Sequence, residues 1–214
     1  MSEMNTLGIK TLERYAENHT KIIHPLLSEL KQVTIEQTEA PQMMIGALEG
    51  KFLQLICALS NAKNVIEIGT FTGYSTLCLA DAVGDNGHVI TIDCNENTSR
   101  IAQEYIARAG YQNRVTFAIG DALEVLNSID HSVDLAFIDA DKIRYDLYYE
   151  TLLSRLKPAG FLIFDNMLWS GRVLHPQTAD DKALDALNKK LTNDDRVENF
   201  LIPLRDGIQV VQKL

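Results

Sequence analysis

The chain has 214 residues, of which 46% are hydrophobic and 23% are charged, a composition typical of a globular domain with a full core. Its formal net charge of −9 argues against a nucleic-acid partner, because phosphate contacts need clustered Lys and Arg. The cysteines form no CxxC pair and the histidines form no zinc-binding pattern, so a disulfide framework and a zinc site are disfavoured. We find no secretory signal and no long apolar run, and we expect a cytoplasmic protein without a membrane partner.

The first 60 residues predict helices, because apolar side chains recur there at helical spacing. We expect a second helix to begin at Pro25, since proline suits the first turn of a helix and not its interior. A loop around TIEQTEAPQ follows, and a third helix is expected over roughly residues 46 to 60.

From residue 61 onward, short β-rich runs alternate with amphipathic helical stretches. This alternation indicates βαβ units and a parallel sheet covered by helices on both faces. The last two runs are joined by the tight segment PLRDG, which predicts an antiparallel hairpin. We therefore expect one domain over 1–214, with N-terminal helices in 1–60 and an α/β core in 61–214. The predicted strands are NVIEI, HVITI, RVTFAI, VDLAFI, GFLIF, RVENFLIP and GIQVVQ.

The first predicted strand leads into a glycine loop, EIGTFTGYS, at residues 67–75. In open α/β sheets the ligand crevice lies at the carboxyl ends of the strands. Gly69 allows a tight turn with a ligand against the backbone, and Gly73 permits close approach of a helix. Asp93 ends the second strand, where an acid can accept hydrogen bonds from ribose hydroxyls. The loop therefore predicts a nucleoside cofactor.

The chemistry of the loop narrows the cofactor. A dinucleotide needs the GxGxxG fingerprint, whereas this loop is GxxxG with Phe71 between the glycines and Glu67 ahead of them. That pattern suits a positively charged ligand without phosphate, and S-adenosylmethionine (SAM) fits. In GDA at residues 120–122, Asp121 can accept from an adenine amino group while the N–H of Ala122 meets a ring nitrogen. The alternative is that these glycines and acids only form turns.

Two neighbouring strands are predicted to end in oxygen donors. Asp139 follows the fourth strand in FIDADK, and Asp165 and Asn166 follow the fifth in FDN. Because adjacent parallel strands end at the same edge of a sheet, we expect these side chains to converge beside the crevice. Three oxygen ligands describe a Mg²⁺-like site, while helix capping is the plainer alternative.

Five motifs in this order resemble the cation-dependent O-methyltransferases, the group of caffeoyl-CoA and catechol O-methyltransferases: EIGTFTGYS, the strand-ending Asp93, GDA, FIDADK and FDNMLWSGRV. The resemblance runs from about Met43 to the DGI at 206–208. It implies a Rossmann-like, SAM-dependent methyltransferase fold with seven strands, of which the last is antiparallel, and a homodimer. It also implies a divalent cation, Mg²⁺ or alternatively Mn²⁺ or Ca²⁺, held by Asp139, Asp165 and Asn166.

The resemblance implies roles for individual cofactor contacts. Glu67 and Gly69 would lie against the methionine part and ribose, Ser75 would bond the methionine carboxylate, and Asp141 would reach the methionine amino group. We expect Cys94 to pack against the adenine. The complete set of expected cofactor contacts is Met43, Ile45, Glu67, Gly69, Thr70, Phe71, Ser75, Asp93, Cys94, Asp121, Ala122, Asp139 and Asp141.

The expected catalytic residues are Lys142, which matches the general base of the catechol enzymes, and Asp139. Trp169 and Ser170 fall in the loop that faces the substrate in the family. Independently of the family, methyl transfer from a sulfonium mainly requires oriented reactants and an oxyanion, and a cation chelated by vicinal hydroxyls lowers the pKa of a phenol. Pro203 stands where the catechol enzymes place a carboxylate, so catecholamine recognition is not implied.

We therefore predict a SAM- and divalent-metal-dependent O-methyltransferase acting on a vicinal dihydroxy aromatic small molecule. Two alternatives stay open: a SAM-dependent protein that methylates RNA or protein or only binds SAM, and an NAD-linked Rossmann oxidoreductase. The acidic composition disfavours the first, and the absence of GxGxxG disfavours the second.

Overall fold

The computed structural model describes residues 9–21 and 23–214 of the chain. Residues 1–8 and Ile22, which belong to the predicted N-terminal helical region, lie outside the described residues. The helices are α1 (Ile9–Asn18), α2 (Leu26–Gln37), α3 (Ala47–Leu59), α4 (Tyr74–Val83), α5 (Glu96–Arg108), α6 (Ala122–Ser128), α7 (Tyr145–Arg155) and α8 (Ala179–Thr192). Short 3-10 turns occupy Pro41–Met43, Lys142–Arg144 and Trp169–Leu174. The strands are β1 (Asn64–Ile68), β2 (His88–Asp93), β3 (Val115–Ile119), β4 (Val133–Ile138), β5 (Leu156–Phe164), β6 (Val197–Ile202) and β7 (Ile208–Lys213).

The strands form one sheet in the order β3-β2-β1-β4-β5-β7-β6. The pairs among β1 to β5 are parallel, whereas β7 runs antiparallel to both β5 and β6. The predicted α/β class, the seven-stranded mostly parallel sheet and the C-terminal antiparallel hairpin are confirmed. Successive connections leave in opposite directions from the β1–β4 pair, and such a switch point opens a crevice at the carboxyl ends of the strands.

Apolar side chains cover both faces of the sheet, as the continuous hydrophobic strands predict. Val65 of β1 and Leu135 of β4 pack toward the face covered by α2 to α5. Their neighbours Ile66 and Ala136 pack toward the face covered by α6, α7 and α8. Successive side chains along a strand therefore pack into two different hydrophobic cores, one on each face of the sheet, and the centre of the sheet is buried.

The N-terminal helices share the first of these cores. Leu30 of α2 and Leu53 of α3 are fully buried in it. Gly50 allows α3 to approach α4 closely, because a Cβ there would lie 2.9 Å from the Cys78 sulfur. Pro25 precedes the first residue of α2 with helical dihedrals, as predicted.

The segment Pro41–Leu59, 19 residues long, is long and apolar enough to span a membrane by length and composition alone. Such a segment was not predicted from the sequence. In the fold the segment is broken by the extended backbone of Met44 and Gly46. Its helical part, α3, packs on α4 and carries the buried carboxylate of Glu49. The segment is therefore built as a turn and a helix of the domain.

Candidate active site

A cavity of about 1110 Å³ opens at the carboxyl edge of the sheet. Its walls come from the ends of β1, β2, β4 and β5, from residues 37–45 and from the β6–β7 loop. Many of the predicted site residues line this one cavity: Met43, Ile45, Gly69, Phe71, Asp93, Cys94, Asp139, Asp141, Lys142, Asp165, Asn166 and Trp169. The structure therefore brings the predicted cofactor, metal and substrate residues to one edge of the sheet.

Backbone hydrogen bonds fix the relative positions of the strand ends. The Gly69 N–H donates to the carbonyl of Ile92, and the Asp139 N–H donates to the carbonyl of Ile68. The Asp165 N–H continues the ladder by donating to the carbonyl of Ile138 at 3.0 Å. The backbone of each of these residues is therefore fixed by a hydrogen bond to the neighbouring strand.

Gly69 has a structural role that the sequence did not indicate. Its φ is +104°, and a Cβ at this position would lie 1.9 Å from the carbonyl oxygen of Asp139. A side chain is therefore excluded by the backbone that follows β4 rather than by a ligand. Gly73, with φ +89°, admits α5, because a Cβ would lie 2.6 Å from the Ala102 Cβ. The predicted close helix approach at Gly73 is thus present.

Asp93 is held in place by the loops on both sides of it. One carboxylate oxygen accepts from the Phe71 N–H at 2.8 Å, and the other accepts from the Asn95 N–H at 2.9 Å. A carboxylate has about four acceptor positions, so each oxygen can accept a further hydrogen bond from a ligand in the cavity. This geometry suits the predicted contact with ribose hydroxyls.

Glu67 is fully buried beneath the glycine loop and does not line the cavity. One oxygen accepts from the hydroxyls of Thr76 and Thr91, and the other is buried without a hydrogen-bond partner among the described residues. Burial raises the pKa of Glu67 to about 7, against the hydroxyls of Ser75, Thr76 and Thr91, which lower it. The Glu67 carboxyl is therefore partly protonated at neutral pH.

We expect Glu67 to make the ligand-free protein less stable as the pH rises. Its folded pKa of about 7 lies above the ordinary 4.5, so its stabilising effect is complete below 4.5 and is lost as the pH passes through 7. The difference between these two pKa values corresponds to a decrease of about 3 kcal/mol in the free energy of unfolding as the pH rises from below 4.5 to above 7. Urea unfolding of wild type and Glu67→Gln at several pH values measures it. The variant should lose this part of the pH dependence, and identical pH dependence in both proteins would contradict the burial argument.

Lys142 and Asp139 are joined at the end of β4. The Lys142 ammonium donates to Asp139 Oδ1 at 2.9 Å and to the Tyr145 hydroxyl at 2.6 Å, and the lysine side chain is only 7% exposed. The Tyr145 hydroxyl also contacts the carbonyl oxygens of Ile138 and Asp165, at 3.2 and 3.1 Å. Tyr145 therefore ties the ends of β4 and β5 together beneath Lys142.

Asp165 is an acid buried close to other acids. Burial first, and then the nearby charges of Asp139 and Glu49, hold the pKa of Asp165 well above its usual range. A nearby cation stabilises the charged form of such a carboxylate. Carboxylate and amide oxygens are the ligands that Mg²⁺ and Ca²⁺ prefer. Asn166 follows with φ +60° and lines the same cavity. The donor set thus fits a hard divalent cation.

That donor set contains two carboxylates and one amide. In the described part of the chain, no group of three or more His, Cys, Asp and Glu side chains is arranged to hold a metal ion. A cation at the ends of β4 and β5 would therefore depend on Asn166 and on ligands from solvent or substrate.

The segment after Asp165 is shaped by the β6–β7 loop. Met167 and Leu168 donate backbone N–H bonds to the carbonyls of Gly207 and Asp206, at 2.9 and 2.8 Å. Trp169 has φ +47°, and its ring centre lies 5.6 Å from the Lys142 ammonium nitrogen and 5.7 Å from the Arg172 guanidinium carbon. The indole lines the cavity with two cations near its ring, and its expected contact with the substrate stays a prediction.

Some predicted residues lie outside the cavity lining: Glu67, Thr70, Ser75, Asp121, Ala122 and Ser170. Thr70 and Ser75 belong to the glycine loop but their side chains are buried, and Thr70 shares a hydrogen bond with Thr91. Asp121 caps α6 and forms a bidentate ion pair with Arg144, which lowers the pKa of Asp121 to about 2. The roles expected for these residues stay predictions.

An ion pair beside the cavity was not predicted from the sequence. Arg205, in the β6–β7 loop, donates to Glu49 of α3, which is 1% exposed. Arg205 and Asp206 both line the cavity. The two partners are 156 residues apart, and neither has a motif around it that would predict the contact.

Comparisons with known proteins show the family and the fold of the chain. A family model described as O-methyltransferase matches residues 17–214. The caffeoyl-CoA O-methyltransferase of Medicago sativa is 35% identical over 206 residues, covering 89% of this chain and 83% of that protein. The O-methyltransferase TomG of Streptomyces achromogenes, solved in complex with SAM, superposes with a TM-score of 0.89 at 26% identity over 100% of this chain and 99% of that one. The O-methyltransferase of Bacillus cereus, solved in complex with SAH, gives 0.87 at 27% identity over 95% and 97%.

Proposed function

The chain belongs to the O-methyltransferase family, and from this premise we propose that it transfers a methyl group from SAM to one hydroxyl of a vicinal dihydroxy aromatic small molecule, with the help of a divalent cation. The observation that carries the proposal is the convergence of Asp139, Lys142, Asp165 and Asn166 on one cavity wall. The proposed general base and the proposed cation ligands lie there beside the crevice suited to a nucleoside.

The residues of the crevice support SAM as the cofactor. Asp93 offers two prepositioned oxygens to a ribose, and Gly69 leaves the loop open against the cavity. Asp141 lines the same space and accepts a hydrogen bond from the Tyr148 hydroxyl at 2.8 Å, which fixes its carboxylate for a cationic amino group. SAM, when bound, supplies the electrophilic methyl group. The loop lacks the glycine spacing that a pyrophosphate needs, which disfavours NAD.

The donor set supports a divalent cation held by Asp139, Asp165 and Asn166. A cation there, when bound, supplies the charge that lowers the pKa of a catechol hydroxyl. Asp139 and Asp165 follow two paired strands, and Tyr145 links the ends of those strands. The position of the catechol hydroxyl would therefore be set by the backbone of these strands. Comparing activity with Mg²⁺, Mn²⁺ and Ca²⁺ identifies the preferred ion.

The remaining step is proton transfer, and Lys142 is placed for it. Its amine is nearly buried, is oriented by Asp139 and Tyr145, and faces the ring of Trp169. We propose that Lys142, in its neutral amine form, takes the proton of the acceptor hydroxyl and becomes the ammonium, while Trp169 holds the aromatic ring. Orientation of this kind is the main demand of an in-line methyl displacement.

A methyl-transfer assay with labelled SAM tests the proposed acceptor class. We expect methylation of catechols such as caffeate and no methylation of phenols with a single hydroxyl, because only vicinal hydroxyls can chelate one cation. Equal activity on single-hydroxyl phenols would overturn the chelation step. Labelling of tRNA or protein without labelling of a catechol would favour the alternative acceptors. The homodimer expected from the resemblance stays a prediction, as does a cytoplasmic location.

A further inference from the structure

A second cavity, of about 530 Å³, adjoins the first on the side of the N-terminal helices. The two cavities share the lining residues Gln42, Met44, Ile45 and Arg205. Arg205 is the charged member of this shared wall, and its charge interacts with that of Asp165, the expected metal ligand. A guanidinium therefore lies at the boundary between the two cavities.

Glu49 contacts Arg205 through only one of the guanidinium nitrogens. Glu49 Oε2 accepts both the Arg205 Nη1 donor and the Gly46 N–H, the latter at 2.9 Å. In the described part of the chain, Nε and Nη2 of Arg205 donate to no acceptor. Arginine has five N–H donors in a planar fork, and a single-oxygen contact leaves most of that fork unused. The Arg205 side chain is 36% exposed, whereas that of Glu49 is 2% exposed, so the guanidinium is the accessible partner.

The lining of the second cavity carries more cations than acids, whereas the charges that act most on Arg205 itself are those of Glu49, Asp165 and Glu13. Lys21 and Lys31 line the second cavity together with Arg205, and Glu17 is the one acid in its lining as described. This local excess of cations occurs in a chain whose net charge is −9. A concave surface in which charges of one sign predominate attracts ligands of the opposite sign. The second cavity is therefore suited to an anionic group attached to whatever occupies the first.

Building on the proposed function, we propose that Arg205 binds a carboxylate on the methyl acceptor, and that the preferred substrates are catechols carrying an acidic group. The fork of an arginine matches the two oxygens of a carboxylate, and such charge-assisted pairs are stronger than neutral hydrogen bonds. Glu49 positions Arg205 without saturating it. A substrate anchored by its hydroxyls at the strand ends and by its acid at Arg205 is fixed at two points.

The test compares each acid with its methyl ester, because the ester keeps the catechol and removes the charge. The pairs are 3,4-dihydroxybenzoate and caffeate with their methyl esters. We expect wild type to prefer the acids in kcat/KM, and Arg205→Gln to lower the acid-to-ester ratio roughly 10- to 100-fold. Arg205→Lys keeps the charge without the fork and should retain part of the preference. Calorimetric binding of the acid and the ester should show the same change in ratio.

Two further variants keep the test decisive. Glu49→Gln combined with Arg205→Gln avoids a buried unpaired carboxylate, and it should lose the preference as Arg205→Gln does. Arg100→Gln removes a charge from an exposed position on α5 and should leave the ratio unchanged within about twofold. An unchanged acid-to-ester ratio in both Arg205→Gln and the double variant would overturn the assignment. If wild type methylates neither acids nor esters, the proposed function fails, whereas equal methylation of both refutes only the role of Arg205.

Discussion

Asp165→Asn is expected to reduce methyl transfer by about 100- to 1,000-fold, the loss that removal of one preorganised transition-state contact causes. The change replaces a buried carboxylate ligand with an amide of the same shape. In metal-free buffer we expect the variant to be at least as stable as wild type. Burial and the charges of Asp139 and Glu49 disfavour the carboxylate of Asp165, and the amide removes that cost while keeping an acceptor for the Asn166 N–H, which now donates to Oδ1 at 2.7 Å.

The combination of lost activity and kept stability separates a metal ligand from a structural acid. Thermal unfolding in EDTA and a steady-state assay with Mg²⁺ measure the two effects. Asp130→Asn is the matched control, because its side chain is fully exposed in the loop before β4 and should alter neither activity nor stability. A variant Asp165→Asn that keeps full activity would remove Asp165 from the metal site.

Gly69→Ala is expected to cost about 3 to 5 kcal/mol in the free energy of unfolding, or to prevent folding, because the new methyl group must displace a backbone carbonyl. The Cβ would lie 1.9 Å from the Asp139 oxygen and 2.9 Å from its carbon. Since that carbonyl belongs to a predicted metal ligand, any fold that survives should also have lost methyl transfer. Denaturant unfolding followed by a methyl-transfer assay tests both parts.

Gly110→Ala is the matched control for this effect. Gly110 also has a positive φ, of +77°, but a Cβ there would meet nothing within 4 Å. The control should cost about 1 kcal/mol, which is the strain of the left-handed backbone alone. If Gly69→Ala cost no more than Gly110→Ala, the close contact with Asp139 could not be what requires glycine.

The class of the sheet and the location of the site follow from simple patterns in the sequence. Continuous apolar runs such as VDLAFI predict buried parallel strands, and the connection PLRDG predicts the hairpin of β6 and β7. Because the carboxyl ends of such strands meet at one edge, the positions of Asp93, Asp139 and Asp165 in the sequence suffice to predict that they share one cavity.

Partnerships between distant side chains could not be predicted in this way. Arg205 and Glu49 pair across 156 residues, and Arg144 pairs with Asp121 across 23. Neither contact leaves a periodic signal, since each depends on how a loop or helix packs against another element. The same limit applies to Glu67, whose place in the motif is recognisable while its burial under Thr76 and Thr91 is not.

The glycine loop shows how a correct motif can rest on a different physical cause. GxxxG predicts a loop open to a ligand, and Gly69 does line the cavity. Its conformation is nevertheless required by the backbone that follows β4 and by the hydrogen bond to Ile92. The sequence pattern is the same for either cause, so only the position of the neighbouring strand distinguishes them.

We propose that this cavity joins a methyl donor, a divalent cation and a catechol. The most direct measurement is methylation of 3,4-dihydroxybenzoate by the purified protein with SAM, after dialysis against EDTA, with and without added Mg²⁺, Mn²⁺ or Ca²⁺. We predict product only in the tubes that contain a divalent cation, and at most about a hundredth of that product with added metal when Asp165→Asn is used. Full product formation in EDTA would contradict the metal-dependent account.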